Sequence, residues 1–264
     1  MVSRIPIKKR FEFDPSRLDF FLPVVGVFPA LFAFAACLAA SLYAGAELPR
    51  ILFVLVILVV QYFCFNLFHL DGLCDTADAF LGAFQKEKRL AILKDSRIGV
   101  YGFFAGICAL SLKTALFWTI FSHIPANPML AAWPVFGRFS SALIPCLVNP
   151  QREDGLGALA KNSRLHRCFL GLLAALALSF FASHGLAALL PSTAYNAAPF
   201  ALPSPTLILA VLQTGAAFLT ALFFARLYKK ALGGYSGDAL GAAIETAEIA
   251  ALAVGVVMLV VEKR

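Results

Sequence analysis

Seven long apolar runs divide the chain, near 20–43, 51–70, 100–121, 126–148, 168–190, 206–225 and 239–261. Each is close to the ~20 residues that an α-helix needs to cross a hydrocarbon core. The pattern predicts an all-α fold, a polytopic integral membrane helical bundle with about seven transmembrane helices, forming one domain over residues 1–264. Between the second and third runs, residues 84–93 set Lys and Glu on one side and Leu and Ile on the other. That predicts a short amphipathic helix on the cytoplasmic membrane surface. Two runs are interrupted: Pro134, Arg138 and Pro145 break 126–148, while Pro23 and Gly26 soften the first.

Composition supports the membrane assignment, with 61% of the 264 residues hydrophobic and 14% charged. A net charge of +7 raises the question of nucleic acid. The placement of the charges answers it. Five Lys and Arg precede the first run, five fall in 71–99, four in 149–167 and three in 226–238. The intervening loops carry only Arg50. This alternation is the positive-inside pattern. It predicts a cytoplasmic N-terminus, an outer C-terminus, basic loops that face the cytoplasm and membrane lipid, and no nucleic-acid partner. The six cysteines are scattered without a C-x-x-C pair, so they read as small buried hydrophobes. Residues 1–19 lack the apolar core and cleavage site of a removable signal peptide.

The candidate chemistry lies on the predicted cytoplasmic segments. In Phe68-His69-Leu70-Asp71-Gly72-Leu73-Cys74-Asp75-Thr76-Ala77-Asp78, three carboxylates follow a long apolar run. On a helix, Asp75 lies ~40° and Asp78 about −20° from Asp71 around the axis. Three like charges on one face raise one another's pKa unless a cation joins them, and hard oxygen ligands suit a divalent ion such as magnesium. Lys94-Asp95-Ser96-Arg97 supplies cations for phosphate oxygens, with Asp95 placed to orient Arg97 or to join the metal shell. Further on, Asp238 and Glu245 are seven residues apart and share a face, with Glu245 ~10 Å deeper if the helix starts near Asp238. Gly234, Gly237 and Gly241 allow close helix packing there. Lys113 and Arg138 fall mid-span, where an ionisable residue marks either a functional cavity or a pairing partner for Glu245 or Glu248.

Four blocks carry a resemblance: H-L-D-G-L-C-D-T-A-D from His69, K-D-S-R-I-G-V-Y-G from Lys94, E-D-G-L-G from Glu153 with the following Lys161, and L-G-G-Y-S-G-D-A-L-G-A-A-I-E from Leu232. In order and spacing the chain resembles the cobalamin (5′-phosphate) synthase family, from the early Arg4-Ile5-Pro6 to Glu248. It departs in small ways, with Ala79-Phe80 after Asp78 and Tyr235-Ser236 inside the glycine block. The resemblance implies a magnesium-dependent enzyme of the bacterial inner membrane that acts at the cytoplasmic face. Its substrates would be adenosylcobinamide-GDP and α-ribazole or its 5′-phosphate, and GMP would be released. It also implies roles. Asp71, Asp75, Asp78, Asp238 and Glu245 would hold metal. Asp75, Asp78, Lys94 and Arg97 would carry the chemistry. His69, Asp95, Ser96, Arg138, Lys161 and Gly237 would contact substrate. A homo-oligomer is compatible with this picture. Two other classes remain open. A CDP-alcohol phosphotransferase shares the logic, but Cys74-Asp75 stands where that motif has Ala-Arg. A secondary transporter would place its acids at mid-membrane and show an inverted repeat.

Overall fold

A computed structural model describes residues 15–42, 50–189 and 204–262; the Arg4-Ile5-Pro6 motif lies outside them. In chain order the helices are α1 (Leu18–Val25), α2 (Val27–Leu42), α3 (Arg50–Gln61), α4 (Leu67–Gly82), α5 (Lys86–Ile92), α6 (Val100–Ile120), α7 (Trp133–Leu147), α8 (Gly155–Ala158), α9 (Leu165–Ala188), α10 (Ser204–Leu232) and α11 (Gly237–Glu262). The described residues contain no β-strand.

Among the described residues, six stretches are long and apolar enough to cross a membrane: Pro15–Ser41, Arg50–Gly82, Val100–His123, Leu165–Ala188, Pro205–Leu232 and Gly237–Glu262. Large apolar side chains such as Val59, Phe63, Phe104, Leu173, Leu219 and Phe223 face outward on them. Water penalises such a surface, whereas lipid tails do not. The protein is a multi-pass membrane protein.

The expected run at 126–148 behaves differently. It forms a 3₁₀ turn, Pro128–Ala131, and then α7, of 15 residues. At 1.5 Å per residue α7 is about 22 Å long, short of a ~30 Å hydrocarbon core. Every residue from Trp133 to Pro145 is buried. Helices α1, α9, α10 and α11 all pack on it, so its polar residues meet protein instead of lipid.

Helix α11 is the axis of the bundle and packs most heavily on α7, α4 and α10. Its contact with α4 is antiparallel and close. A Cβ on Gly72 would lie 3.1 Å from Asp238 Cα, and one on Gly241 would lie 3.2 Å from His69 Cα. Glycine at these two places lets the helix backbones nearly touch. Helices α3 and α4 join through a π-helical turn, Tyr62–Asn66, which re-phases the long span so that α4 presents its own face to α11. Helix α5 has the expected amphipathic character: Leu90 and Leu93 pack inward, and Arg89 Nε donates to the Ala83 carbonyl at 2.9 Å.

The first span divides at Gly26, between α1 and α2. A Cβ there would lie 2.7 Å from Val135 Cα and 2.8 Å from the Pro134 carbonyl oxygen. Both are backbone atoms of α7 and cannot swing aside. Gly26→Leu is expected to cost about 1–3 kcal/mol, read as a lowered thermal midpoint in detergent. Gly185→Leu, at a position with no atom within 4 Å of an added Cβ, should leave the midpoint unchanged.

Candidate active site

The tight α4–α11 crossing decides which carboxylates meet. Asp71 and Asp75 on α4 lie beside Asp238 at the start of α11, and Asp75 is within Coulombic reach of Asp71, Asp238 and Asp78. Asp71 and Asp75 have no hydrogen-bond or ion-pair partner among the described residues. Asp238 accepts a hydrogen bond from Ser236 Oγ at 3.1 Å. The result is an uncompensated acidic cleft at one end of the bundle.

Asp78 has a different occupation. Its Oδ2 accepts the Gly99 amide at 2.7 Å and its Oδ1 the Gly102 amide at 2.8 Å. It is buried and caps the first turn of α6, where a carboxylate satisfies otherwise unpaired amides and the positive helix end. The two bonds fasten the end of the 93–99 loop, at Gly99, and the first turn of α6, at Gly102, to α4. Lys94, Ser96 and Arg97 are exposed on that loop. Arg97 binds Asp95 through Nη2 at 2.6 Å and Nε at 3.0 Å. These hydrogen bonds hold the Asp95 carboxyl down at about 2, so the pair stays ionised through the physiological range. A Cβ at Gly99 or Gly102 would collide with the Asp78 carboxylate, which explains the two glycines.

The other loops converge on the same end. Residues 149–151 pair with Tyr235 through Gln151 N to Tyr235 O at 2.8 Å and Tyr235 N to Asn149 O at 3.1 Å. The Tyr235 hydroxyl donates to the Gly157 carbonyl at 2.7 Å. These contacts bring the turn bearing exposed Lys161 alongside Gly237 and Asp238. His69 and Gly237 line a cavity of about 130 Å³ beside the crossing.

Two expected site residues lie elsewhere. Glu245, expected to bind metal, is fully buried, and its Oε2 binds Lys113 Nζ at 2.7 Å and accepts from Tyr62 OH at 2.7 Å. Arg138, expected to contact substrate, is also fully buried and binds Glu248 Oε1 at 3.0 Å. Lys113 Nζ meets Glu248 Oε2 at 2.6 Å, and Asn66 Nδ2 donates to both glutamates. Two acids and two bases cancel, and every carboxylate oxygen has a donor. The chain geometry explains the misplacement: α11 carries Glu245 two turns below Asp238, level with Asn66 of the π-helical turn instead of with Asp71. Of the two readings the sequence left open for Lys113 and Arg138, pairing is the one observed.

Sequence reasoning passed over Asp19, Asn66 and Tyr62. Asp19 is buried, and its Oδ2 accepts the Arg164 amide at the start of α9 at 2.7 Å. An acid at the very edge of an apolar run was the available signal. No comparable signal marked Asn66 and Tyr62, which look like ordinary members of a span.

Among the described residues, no three His, Cys, Asp or Glu already close around a point as a metal cage would. An open set of two or three carboxylate oxygens is nonetheless the donor chemistry that magnesium takes when phosphates and water complete its shell.

Fold and cleft together define a helical membrane protein with an acidic, loop-rimmed site at one end of its bundle. The family model described as cobalamin-5-phosphate synthase matches residues 1–256, and the chain belongs to that family. Among curated relatives, an adenosylcobinamide-GDP ribazoletransferase of Rhizobium johnstonii is 32% identical over 95% of this chain and 91% of its own length. One of Citrobacter koseri is 30% identical over 94% and 93%. One of Thermosipho melanesiensis is 35% identical over 60% of this chain, and the match spans 63% of that relative's length. No solved structure matches.

Two outcomes follow from the buried contacts. Lys113→Met leaves Glu245 and Glu248 short of a cation and should cost about 3–5 kcal/mol. Chemical unfolding in detergent measures it, and adding Glu245→Gln should return part of the loss. Gly102→Ala should free the 93–99 loop from Asp78. Trypsin would then cut at Lys94 and Arg97 faster than in the unaltered protein, and an unchanged cleavage rate would remove the clamp.

Proposed function

We propose that this chain is an adenosylcobinamide-GDP ribazoletransferase. It transfers the adenosylcobinamide-phosphate group to α-ribazole or its 5′-phosphate and releases GMP. The observation that carries this reading is the convergence of Asp71, Asp75 and Asp238 beside the tethered Lys94–Arg97 loop, in a chain that matches the family from end to end. Phosphoryl transfer asks mainly for positioning and charge neutralisation, and a rigid acidic cleft with an exposed basic loop tethered to the same helix offers both.

In this reading Asp71 and Asp238, on either side of the Gly72 contact, hold magnesium. Magnesium held there would supply charge neutralisation for the diphosphate and for the departing GMP phosphate. Lys94 and the edge of Arg97 turned away from Asp95 bind the remaining phosphate oxygens. Asp78 has both oxygens committed to amides, so the proton-accepting role falls to Asp75, whose oxygens are unpartnered. A ribose hydroxyl of the acceptor attacks the phosphorus on the cobinamide side. The new P–O bond forms as the bridging P–O bond breaks, the hydroxyl proton passes to Asp75, and GMP leaves. The cleft faces the cytoplasm of a bacterial inner membrane with the N-terminus inside. Helix α5 rests at the lipid surface, and α7 with its 3₁₀ turn completes a seventh crossing inside the bundle.

A transporter would keep an accessible charged group at mid-depth, whereas the ionised groups there neutralise one another. The test is GMP release by the purified protein given adenosylcobinamide-GDP, α-ribazole and magnesium. No release above a magnesium-free blank would sink the assignment. Asp71→Asn should lower the rate by about two orders of magnitude or more while the protein still inserts and unfolds normally; full activity in that variant would remove Asp71 from the metal site.

A further inference from the structure

The cavity beside the α4–α11 crossing is not accounted for by phosphate chemistry. Its walls are mainly apolar, with Leu18, Leu22, Phe68, Leu240 and Ile244 among them. At about 130 Å³ it is of the order of the ~150 Å³ apolar cavity that takes up benzene. Its polar lining is sparse and partly committed. Both Asp19 oxygens accept backbone amides, from Phe20 at 2.9 Å and Arg164 at 2.7 Å. Ser163 Oγ donates to the Ala160 carbonyl at 2.7 Å. His69 is the exception. It is 6% exposed, lines the cavity, and its Nδ1 has no hydrogen-bond partner. Native proteins pair nearly all such atoms, so an orphan in a cavity wall is a position for a ligand.

We infer that this cavity receives the aromatic base of the nucleoside acceptor, with the His69 imidazole donating an N–H to the base's free ring nitrogen. The inference rests on the transferase reading above. The acceptor's base is a benzimidazole: two fused apolar rings with a single free acceptor nitrogen, which one donor satisfies. The competing base is guanine of the donor nucleotide. Its amide N–H, amino group and carbonyl would all enter a wall that offers little beyond His69 and Ser141, and each unpaired group costs more than a hydrogen bond returns. Position agrees. Gly237 lines the cavity and directly precedes Asp238 at the start of α11, so a base held here carries its ribose towards that carboxylate. An added Cβ at Gly237 would meet nothing within 4 Å, leaving room for a sugar at that wall.

The experiment is steady-state GMP release by the full chain in detergent, with each substrate varied in turn. Leu159→Trp fills the cavity from the half-buried turn at its mouth and spares the core. It should raise KM for the ribazole roughly tenfold or more and leave KM for the nucleotide donor within about twofold. His69→Ala should raise the ribazole KM by about tenfold, and His69→Asn, which keeps an N–H donor, should recover part of it. An indole riboside, which lacks the acceptor nitrogen, should bind worse than ribazole to the unaltered protein and equally to His69→Ala. A rise in the donor KM alone would give the cavity to guanine and overturn the inference, as would no change in either KM. These results leave the transferase reading standing. Absence of GMP release from the unaltered protein would overturn that reading and the base subsite with it.

Discussion

Two glutamates, a lysine and an arginine meet, all of them buried, at the centre of this bundle, and the arrangement of α4, α6, α7 and α11 follows from that meeting. Burying any one of these charges alone would cost several kcal/mol. The cost is offset only where all four converge and each carboxylate oxygen meets a donor. Glu245 and Glu248 come from α11, Lys113 from α6, Arg138 from α7, and Asn66 with Tyr62 from the π-helical turn. Arg138 Nη2 also donates to Asn66 Oδ1 at 3.2 Å, which ties the acceptor side of the amide into the same set. A slide of α4 against α11 by one turn would break several of these bonds together, so the network fixes register.

That register is what the cleft inherits. With Asn66 against Glu245, the antiparallel contact runs upward through His69 and Gly241 to Gly72 and Asp238. The glycines let the backbones approach, and the acids flanking them are forced into proximity that their charges oppose. The stable core therefore holds an electrostatically unfavourable rim, which is the arrangement a cation-dependent site requires. Asp78 extends the same rigidity outward. By capping α6 it anchors the basic loop to the helix that carries Asp71 and Asp75.

Much of this was legible in the residue order. The i, i+4, i+7 spacing of Asp71, Asp75 and Asp78 put them on one helical stretch, and the basic loops identified a common end. The blocks around Asp71, Lys94 and Asp238 stood out because charged and glycine-rich sequence is rare in so apolar a chain. Glu245 lies in the buried pairing with Lys113 and not in the cleft for a definable reason. Sharing a face with Asp238 fixes an angle about the axis, but it says nothing about what lies opposite two turns deeper. Asp78 was grouped with its neighbours on the same logic, though its oxygens face α6 amides.

The sequence by itself determined the all-α membrane bundle, six of the seven spans it predicts, the common end of its polar loops and the family to which it belongs, because apolar run length, charge alternation and local motifs are properties of neighbours along the chain. Tertiary structure decided which acids stay open and which are paired. It made α7 a short internal helix and placed an unpartnered His69 in an apolar cavity. Those outcomes depend on contacts between residues such as Lys113 and Glu245, 132 positions apart, whose pairing is set by the depth and rotation of packed helices.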